Sequence, residues 1–490
     1  MNATAGSRLT SRWLILVIAC LAQFMVVLDA TIVNVALPSI QRGLHFSPAN
    51  LAWVVNAYTL VFGGFLLLGG RASDLVGRKR LFMAGIALFS LASLFNGLVQ
   101  SSTMLIVGRG LQGLGGALLS PAALSIITTT FTDTQERTRA LGVWSAIAAG
   151  GGAVGLLLGG VLTDLASWPW IFIVNVPVGV AALLATLRFV PESRADLAHR
   201  TFDVLGAVSV TGGLVVLVFA IIKAQAWGWG SGKTIGLLAA SAAILALFIA
   251  VERRSKAPLM RLSIFRVRTL AVADVVLLLV ASGLFGMFFF ASLYVQEILG
   301  YSPLRAGLAF LPVTAGIIIG AGIAQPLTRR VGVLRLALVG VLIAAAGLGV
   351  LTQLPVHGSY LGNLMSGLFP MSIGMGLTFV PITLLATGGV EGNDAGLASG
   401  LFNTSQQVGG SLGLAILSTL AASQTASLLS SSHASPLSAA GLAARVSGYH
   451  VAFLAAAAML AAGGIILGLT LRPRHVRHLE AELAPVPAAA

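Results

Sequence analysis

The chain has 490 residues, 57% of them hydrophobic and only 9% charged, with 58 glycines, a balance that belongs to a polytopic membrane protein and excludes an ordinary soluble enzyme. A net charge of +14 would point to nucleic acid in a soluble chain, but here the placement of each charge outweighs the sum, and no nucleic-acid partner is expected. The sole cysteine, Cys20, excludes an internal disulfide and any cysteine-cluster metal site.

Arg8 and Arg12 precede an apolar run whose Val17 to Cys20 resembles a lipoprotein cleavage box, yet the run continues to Leu37. An uncleaved first span is the better reading. Apolar stretches long enough to cross a bilayer lie near 13–37, 51–72, 81–99, 103–128, 139–163, 170–190, 203–223, 234–251, 269–296, 304–326, 333–352, 359–385, 396–422 and 449–471, fourteen spans in all. An even count puts both termini on one side, and short loops rich in Lys and Arg stay in the cytoplasm. With the N-terminus inside, inner loops and tails carry 23 of the 29 basic residues, Arg78, Lys79, Arg80, Arg329 and Arg330 among them. Only Arg42, Lys223, Lys233, Arg305 and Arg445 fall outside. The expectation is a multi-pass protein of the cell membrane, with cytoplasmic termini and a basic inner face against anionic lipid.

Polar breaks at 191–202 and 252–268 divide the spans into six, two and six. This predicts an all-α fold with a six-helix bundle at 1–201, an inserted hairpin at 202–253, a second bundle at 254–475 and a cytoplasmic tail at 476–490. Ser47-Pro48 and Gly77 in the first half, and Ser302-Pro303 and Gly332 in the second, share a separation of 29 residues from proline to glycine, as a parallel repeat of one unit requires. Ser423 to Ser447, rich in serine and alanine, reads as a long outer loop.

Only Asp29 and Asp274 among the acids fall clearly within spans, and Arg109 is the only base at depth. Asp29 lies eight residues below Leu37 and Arg109 six below Thr103, or roughly 12 and 9 Å down two oppositely running helices. The two can pair or share a polar cavity. A carboxylate at that depth costs roughly 2.5 to 3.5 kcal/mol on insertion scales and is kept for a partner or a task. The pair is either a static tie between helices or a proton-coupling group that changes protonation during a cycle. Asp274, six residues beyond Arg268, either reaches interfacial water or acts at depth. Glu297 is either an outer-gate group or a solvated rim residue.

The segment Gly70 to Arg80, with Asp74 at a helix end, Gly77 for the turn and Arg78-Lys79-Arg80 behind it, can form a charge latch. It resembles the signature loop of the major facilitator superfamily. That resemblance assigns Asp74, Gly77 and Arg78 to a gating latch holding the outward-facing state; the second-half loop has Arg329 where the acid would align. LDATIVNVALP, ending at Pro38, resembles the first-span motif of the fourteen-span drug:proton antiporters of the EmrB/QacA type. LIVGRGLQGLGGA, carrying Arg109 and Gln112, resembles the fourth-span motif whose arginine is linked to proton movement. FASLYVQEILGYSP and NTSQQVGGSLG resemble later spans of that subfamily. In the fifth-span antiporter motif Gly151, Gly155, Gly159 and Gly160 fit, as small residues for close helix packing, but Leu156 takes the place of the usual proline.

Two motifs fail on context: Gly150 to Gly155 satisfies a dinucleotide fingerprint inside a span with no strand before it, and Gly232-Lys233-Thr234 has Trp227 where a phosphate loop needs its first glycine. Phe24, Asn34, Asn56, Gln112, Phe289, Tyr294, Gln296, Asn403 and Gln407 are candidates for the substrate cavity, aromatics for flat or cationic compounds and amides for hydrogen bonds. The expected function is proton-coupled export of lipophilic or cationic small molecules by a monomer, with protons as the coupling ion and no cofactor. The alternative on the same fold is a proton-linked importer; a membrane enzyme would need catalytic groups converging at depth, and a channel would ignore Asp29.

Overall fold

The computed structural model describes residues 3–194, 203–255, 258–388, 390, 394–433, 435 and 438–477. Among them are fourteen helices long and apolar enough to cross a membrane: α1 Arg12–Leu44, α2 Pro48–Val76, α3 Arg78–Leu98, α4 Ser102–Thr130, α5 Gln135–Leu165, α6 Trp170–Phe189, α7 Val204–Trp227, α8 Gly232–Arg254, α9 Arg268–Ile298, α10 Pro303–Val331, α11 Val333–Leu351, α12 Tyr360–Thr387, α13 Gly396–Ser432 and α14 Ala439–Thr470. No strand occurs among the described residues. The expected tail beyond 477 and most of the 191–202 break lie outside them.

Helix starts follow local chemistry. Ser47, Ser101, Asp133, Ser302, Ser359 and Ser438 each offer a side-chain oxygen to a backbone N–H of the first turn, satisfying donors that have no partner within the helix. Ser47-Pro48 and Ser302-Pro303 form the same cap, with proline in the first turn. Gly77 and Gly332 both adopt positive φ, +119° and +93°, immediately before α3 and α11. The matched landmarks of the two halves therefore have matched backbone geometry.

Two segments differ from the sequence expectation. α1 runs through Pro38 to Leu44, since one missing N–H does not end a helix whose next turn is buried: Ile40 is fully buried and the Trp168 ring lies against Gly43. The predicted loop at Ser423 to Ser447 is mostly helix. Hydroxyls of Thr425 and Ser432 donate to carbonyls four residues back, and Gln424 and Thr425 of α13 bond to Ser447 and Ala444 of α14. Serines that return their hydroxyls to the backbone stay helical, so polarity alone misled.

The chain divides into two compact units. The first comprises Met1–Leu217, Leu238–Leu259 and Tyr301–Phe310. In it α4 is wedged between α2 and α3: a Cβ at Gly115 would lie 2.6 Å from the Phe89 nitrogen, and one at Gly113 would strike the Tyr58 carbonyl. Tyr58, Phe62, Phe82, Phe89 and Phe131 fill the buried centre, with Tyr58 stacked on Phe62 at 5.8 Å. Ser241 of α8 donates to the Gly213 carbonyl of α7. Leu91 and Leu184 are more than 60% exposed, as lipid-facing side chains are.

The second unit comprises Val218–Leu237, Met260–Gly300 and Leu311–Ala490. Here α11 and α12 meet backbone to backbone, Gly340 and Gly347 facing Gly374 and Gly367. α9 packs on α13, where Gly409 and Gly413 face Leu278 and Ser282 and Ser282 donates to the Gly409 carbonyl at 2.8 Å. Small residues bring these helices close enough for dispersion and backbone contacts to replace a hydrophobic driving force that lipid does not supply. Thr419 of α13 donates to the Ile221 carbonyl of α7.

Candidate functional site

Five helices of the first unit converge on one polar cluster. α1 supplies Asp29; α3 supplies Ser93 and Asn96, and α4 supplies Arg109 and Gln112, each pair three residues apart and so on one helix face. α6 adds Asn175 and Phe172, and α2 adds the Val54 carbonyl and the Tyr58 ring. Glycine makes the room: the Asn96 side chain occupies the space a Cβ at Gly108 would need.

Arg109 Nη1 donates to Asp29 Oδ2 in a direct ion pair, and to Gln112 Oε1 at 2.8 Å. Its Nε donates to the Val54 carbonyl at 3.0 Å. Gln112 Nε2 donates to Asp29 Oδ1 at 2.6 Å and to Ser93 Oγ at 3.0 Å. Asn96 donates to Gln112 Oε1 at 2.8 Å, and Asn175 donates to Ser93 at 3.1 Å and to Asp29 at 3.4 Å. Ser93 in turn donates to the Phe172 carbonyl at 3.0 Å. Asp29 is 0% and Arg109 1% exposed, so the pair is closed from solvent in this conformation.

Two buried charges are tolerable only when mutually compensated and fully hydrogen-bonded. Asp29 has donors on both oxygens. The guanidinium also lies over the Tyr58 ring at 4.4 Å and 5.6 Å from the Phe172 centroid, where ring quadrupoles attract a cation. The cation thus keeps a carbonyl, an amide oxygen and an aromatic face if the carboxylate is neutralised. Asn56, also fully buried, has no hydrogen-bond partner for either amide atom.

The loop between α2 and α3 forms its latch within one turn: Arg78 Nη2 donates to Asp74 Oδ1 at 2.9 Å. Sequence reading missed its other anchor. Glu192, just past α6, accepts from the Lys79 backbone N–H at 3.1 Å, and the Arg78 N–H donates to the Ser193 carbonyl at 2.9 Å. A carboxylate at the N-terminus of α3 is favoured by its exposed amides. A Cβ at Gly77 would fall 2.6 Å from Glu192 Oε1, at φ +119°. Gly77→Ala is therefore expected to destabilise the unit by about 1–3 kcal/mol and to detach Glu192, read as a lowered unfolding temperature and faster proteolysis at this loop. In the second unit Arg329, Arg330 and Arg335 surround the equivalent Gly332, and no ion pair to them occurs among the described residues.

The four antiporter-type glycines lie where close approach demands them. Gly151 faces Phe24 and Val27, Gly155 faces Thr31 and the Leu28 carbonyl, and Gly159 faces the Ile32 carbonyl, all on α1. Gly160 faces the Pro303 carbonyl at the start of α10, and Gly307 there faces the Leu156 carbonyl. α5 runs unbroken through Leu156. Leu156→Pro would remove the N–H donor of a continuous helix and crowd the preceding turn; a loss of roughly 3 kcal/mol or more is expected in thermal unfolding.

The cavity candidates are not gathered into one site. In the first unit Phe24 and Asn34 are half-buried, Asn34 donating to the Thr31 carbonyl, while Gln112 belongs to the ion-pair cluster. In the second, two of the candidates are closed into packing and present no surface to a ligand in this conformation. Phe289 packs edge-on against Phe290 at 5.1 Å, and Tyr294, fully buried, donates to the Pro355 carbonyl at 2.6 Å. Gln296 bonds to Ser292, Asn403 is exposed and returns its amide to the Ser399 carbonyl, and Gln407 is half-buried. Glu297, in a single π-helical turn at Tyr294–Ile298, accepts from Arg445 Nη1 at 3.3 Å and Tyr449 Oη at 3.2 Å, tying α9 to α14. Arg445→Ala should loosen that tie by about 1 kcal/mol or less, because the pair is partly exposed, as measured by a double-mutant cycle with Glu297→Gln.

Ser93, Asn96 and Asn175 were overlooked as cluster residues. Their signal is an uncharged polar residue within an apolar run at the level of Asp29, which becomes specific only when helices are paired.

The family model described as Major Facilitator Superfamily matches residues 19–414. The puromycin resistance protein pur8 of Streptomyces alboniger is 42% identical over 422 residues, covering 86% of this chain and 84% of that protein. The cephamycin export protein CmcT of Amycolatopsis lactamdurans is 40% identical, covering 84% and 85%. The multidrug resistance protein Stp of Mycobacterium tuberculosis is 37% identical, covering 85% and 77%. Among solved structures, a bacterial homolog to the human lysosomal transporter Spinster, inward-facing and unoccupied, aligns with a TM-score of 0.67 over 98% of this chain and 99% of that one at 17% identity, a likeness of fold. Fourteen membrane-length helices, the matched loop before α3 and relatives of this identity over most of the chain lead to one conclusion: this multi-pass membrane protein is a transporter, not an enzyme, and belongs to the Major Facilitator Superfamily.

Proposed function

We propose that the chain exports antibiotic-like small molecules across the plasma membrane in exchange for protons, as a monomer with both termini in the cytoplasm and without ATP. The export reading is supported by relatives named for puromycin resistance, cephamycin export and multidrug resistance. The proton reading rests on one observation, the fully buried Asp29–Arg109 pair. A proton taken up by Asp29 turns its carboxylate into a donor and ends the charge attraction to Nη1. Arg109 keeps its charge against Val54, Gln112 Oε1 and Tyr58, so one site carries a fixed cation and a switchable anion. The difference between those states can bias the alternating exposure of the substrate path. One charge moving through 100 mV gains about 2.3 kcal/mol, and a pH difference adds to it.

The test is puromycin-induced proton release from protein reconstituted in vesicles, under an imposed pH gradient. Wild type should release protons on puromycin addition and accumulate puromycin against its gradient. Proton release and uphill flux that are unchanged in Asp29→Asn would remove the coupling role; import of puromycin down the same proton gradient would favour the importer.

A further inference from the structure

The second unit holds a buried acid that the ion-pair cluster does not explain. Asp274 of α9 is 5% exposed, and neither carboxyl oxygen completes a hydrogen bond. The polar group facing it is the Ser405 hydroxyl of α13. This follows from helix register: α9 and α13 run parallel, with Leu278 against Gly409 and Ser282 against Gly413, so one turn earlier the same register sets Asp274 against Ser405.

No cation compensates it among the described residues. On α9 itself the nearest is Arg268, nearly two turns earlier, and Arg266 lies in the short helical turn Leu262–Arg266 before it. α13 carries no titratable side chain at all between Ala395 and Ser432. α14 brings Arg445, Tyr449 and His450, which are engaged at the far end of α9 with Glu297 and the Leu354 carbonyl, and just past α14 His475 has Arg268, Arg472 and Arg474 as charged neighbours. α12 offers only Tyr360, in its first turn. Arg261 pairs with Asp394. An ionised carboxylate here would be buried with no counter-charge and with a single hydroxyl as its side-chain donor, which proteins avoid by keeping the group neutral. A neutral carboxyl can instead donate its O–H to Ser405 Oγ when the two close to hydrogen-bonding distance.

We propose that Asp274 is a second proton-binding site of the transport cycle, neutral in this conformation and ionised when α9 and α13 part. The proposal rests on the proton-exchange reading above and extends it from one carboxyl to two. The exit path is the polar stretch Asn403-Thr404-Ser405-Gln406-Gln407, in which Asn403 is exposed and Gln406 and Gln407 half-buried. Water entering along it hydrates the carboxylate, the O–H bond breaks, and the proton passes to that water. Asp29 and Asp274 then differ in kind, one an acid with a permanent cation beside it, the other an acid whose charge depends on wetting.

Infrared spectroscopy of the intact protein in lipid at neutral pH tests this without any cargo. Wild type and Asp29→Asn should show the carbonyl stretch of a protonated carboxyl, lost in Asp274→Asn and regained at a shifted frequency in Asp274→Glu. Ser405→Ala should move the band by removing its hydrogen-bond acceptor. Absence of the band from wild type, or its persistence in Asp274→Asn, overturns the proposal. In vesicles exchanging puromycin, Asp274→Asn should move one proton fewer per cargo molecule; an unchanged ratio overturns its part in the cycle. Wild-type vesicles that move no protons would overturn the exporter reading, while the infrared result would still decide whether Asp274 binds a proton.

Discussion

Arg109→Met should destabilise the protein by about 3–5 kcal/mol and abolish export. The loss comes less from the missing contacts than from Asp29, which is left as an uncompensated charge at 0% exposure. Asn175 at 3.4 Å and the Gln112 amide cannot replace a guanidinium. Asp29→Asn should cost much less stability, because the cation retains the Val54 carbonyl, Gln112 Oε1 and the Tyr58 ring. The double variant should then regain most of the stability lost in Arg109→Met while remaining unable to drive uphill puromycin export. Thermal unfolding of the four proteins gives the coupling energy. Additive losses in stability would mean that the two groups do not form an energetic pair, and gradient-driven export by the double variant would mean that neither couples protons.

Gly159→Val should disturb both the fold and the coupling site. A Cβ at this position lies 2.6 Å from the Ile32 carbonyl oxygen and 3.0 Å from the Ile32 side chain, and the added methyls have nowhere to go in a contact made backbone to backbone. Overpacking costs typically 1–3 kcal/mol, and here the strain falls on α1 one turn from Asp29, so α1 and the ion pair should shift together. Loss of folded yield and of proton release is expected. The contrast is Gly150→Ala, in the same glycine run but with nothing within 4 Å of its Cβ. That variant should be neutral or slightly stabilising, since alanine favours a helix over glycine. Equal behaviour of the two would show that α1 and α5 do not meet as described.

The same glycines show how far sequence reading reaches. Gly150 to Gly155 and Gly159-Gly160 announce close packing by composition, but not which of them bear it; only the orientation of α5 toward α1 separates Gly150 from Gly155. Span number and order were legible because a bilayer demands long, nearly uncharged helices, and this composition has few other uses. The extents of α1 and α13 were not, since proline and serine lower helix propensity locally while burial and returned hydroxyls decide the outcome.

From the sequence alone came fourteen spans, two matched halves, one acid and one base at depth, and a latch loop with an arginine-rich counterpart. The pairing of Asp29 with Arg109 was a matter of level along two helices, and counting residues at a fixed rise per residue is enough to propose it. What the tertiary structure decided is everything that depends on rotation about a helix axis. It placed Ser93, Asn96 and Asn175 around the pair, seated Glu192 over Gly77, turned Phe289 and Tyr294 into packing, and set Asp274 against an uncharged helix. Depth is written one-dimensionally, in the position of a residue along its span; facing is set by neighbours many residues away, whose approach depends on which backbones carry no side chain in between.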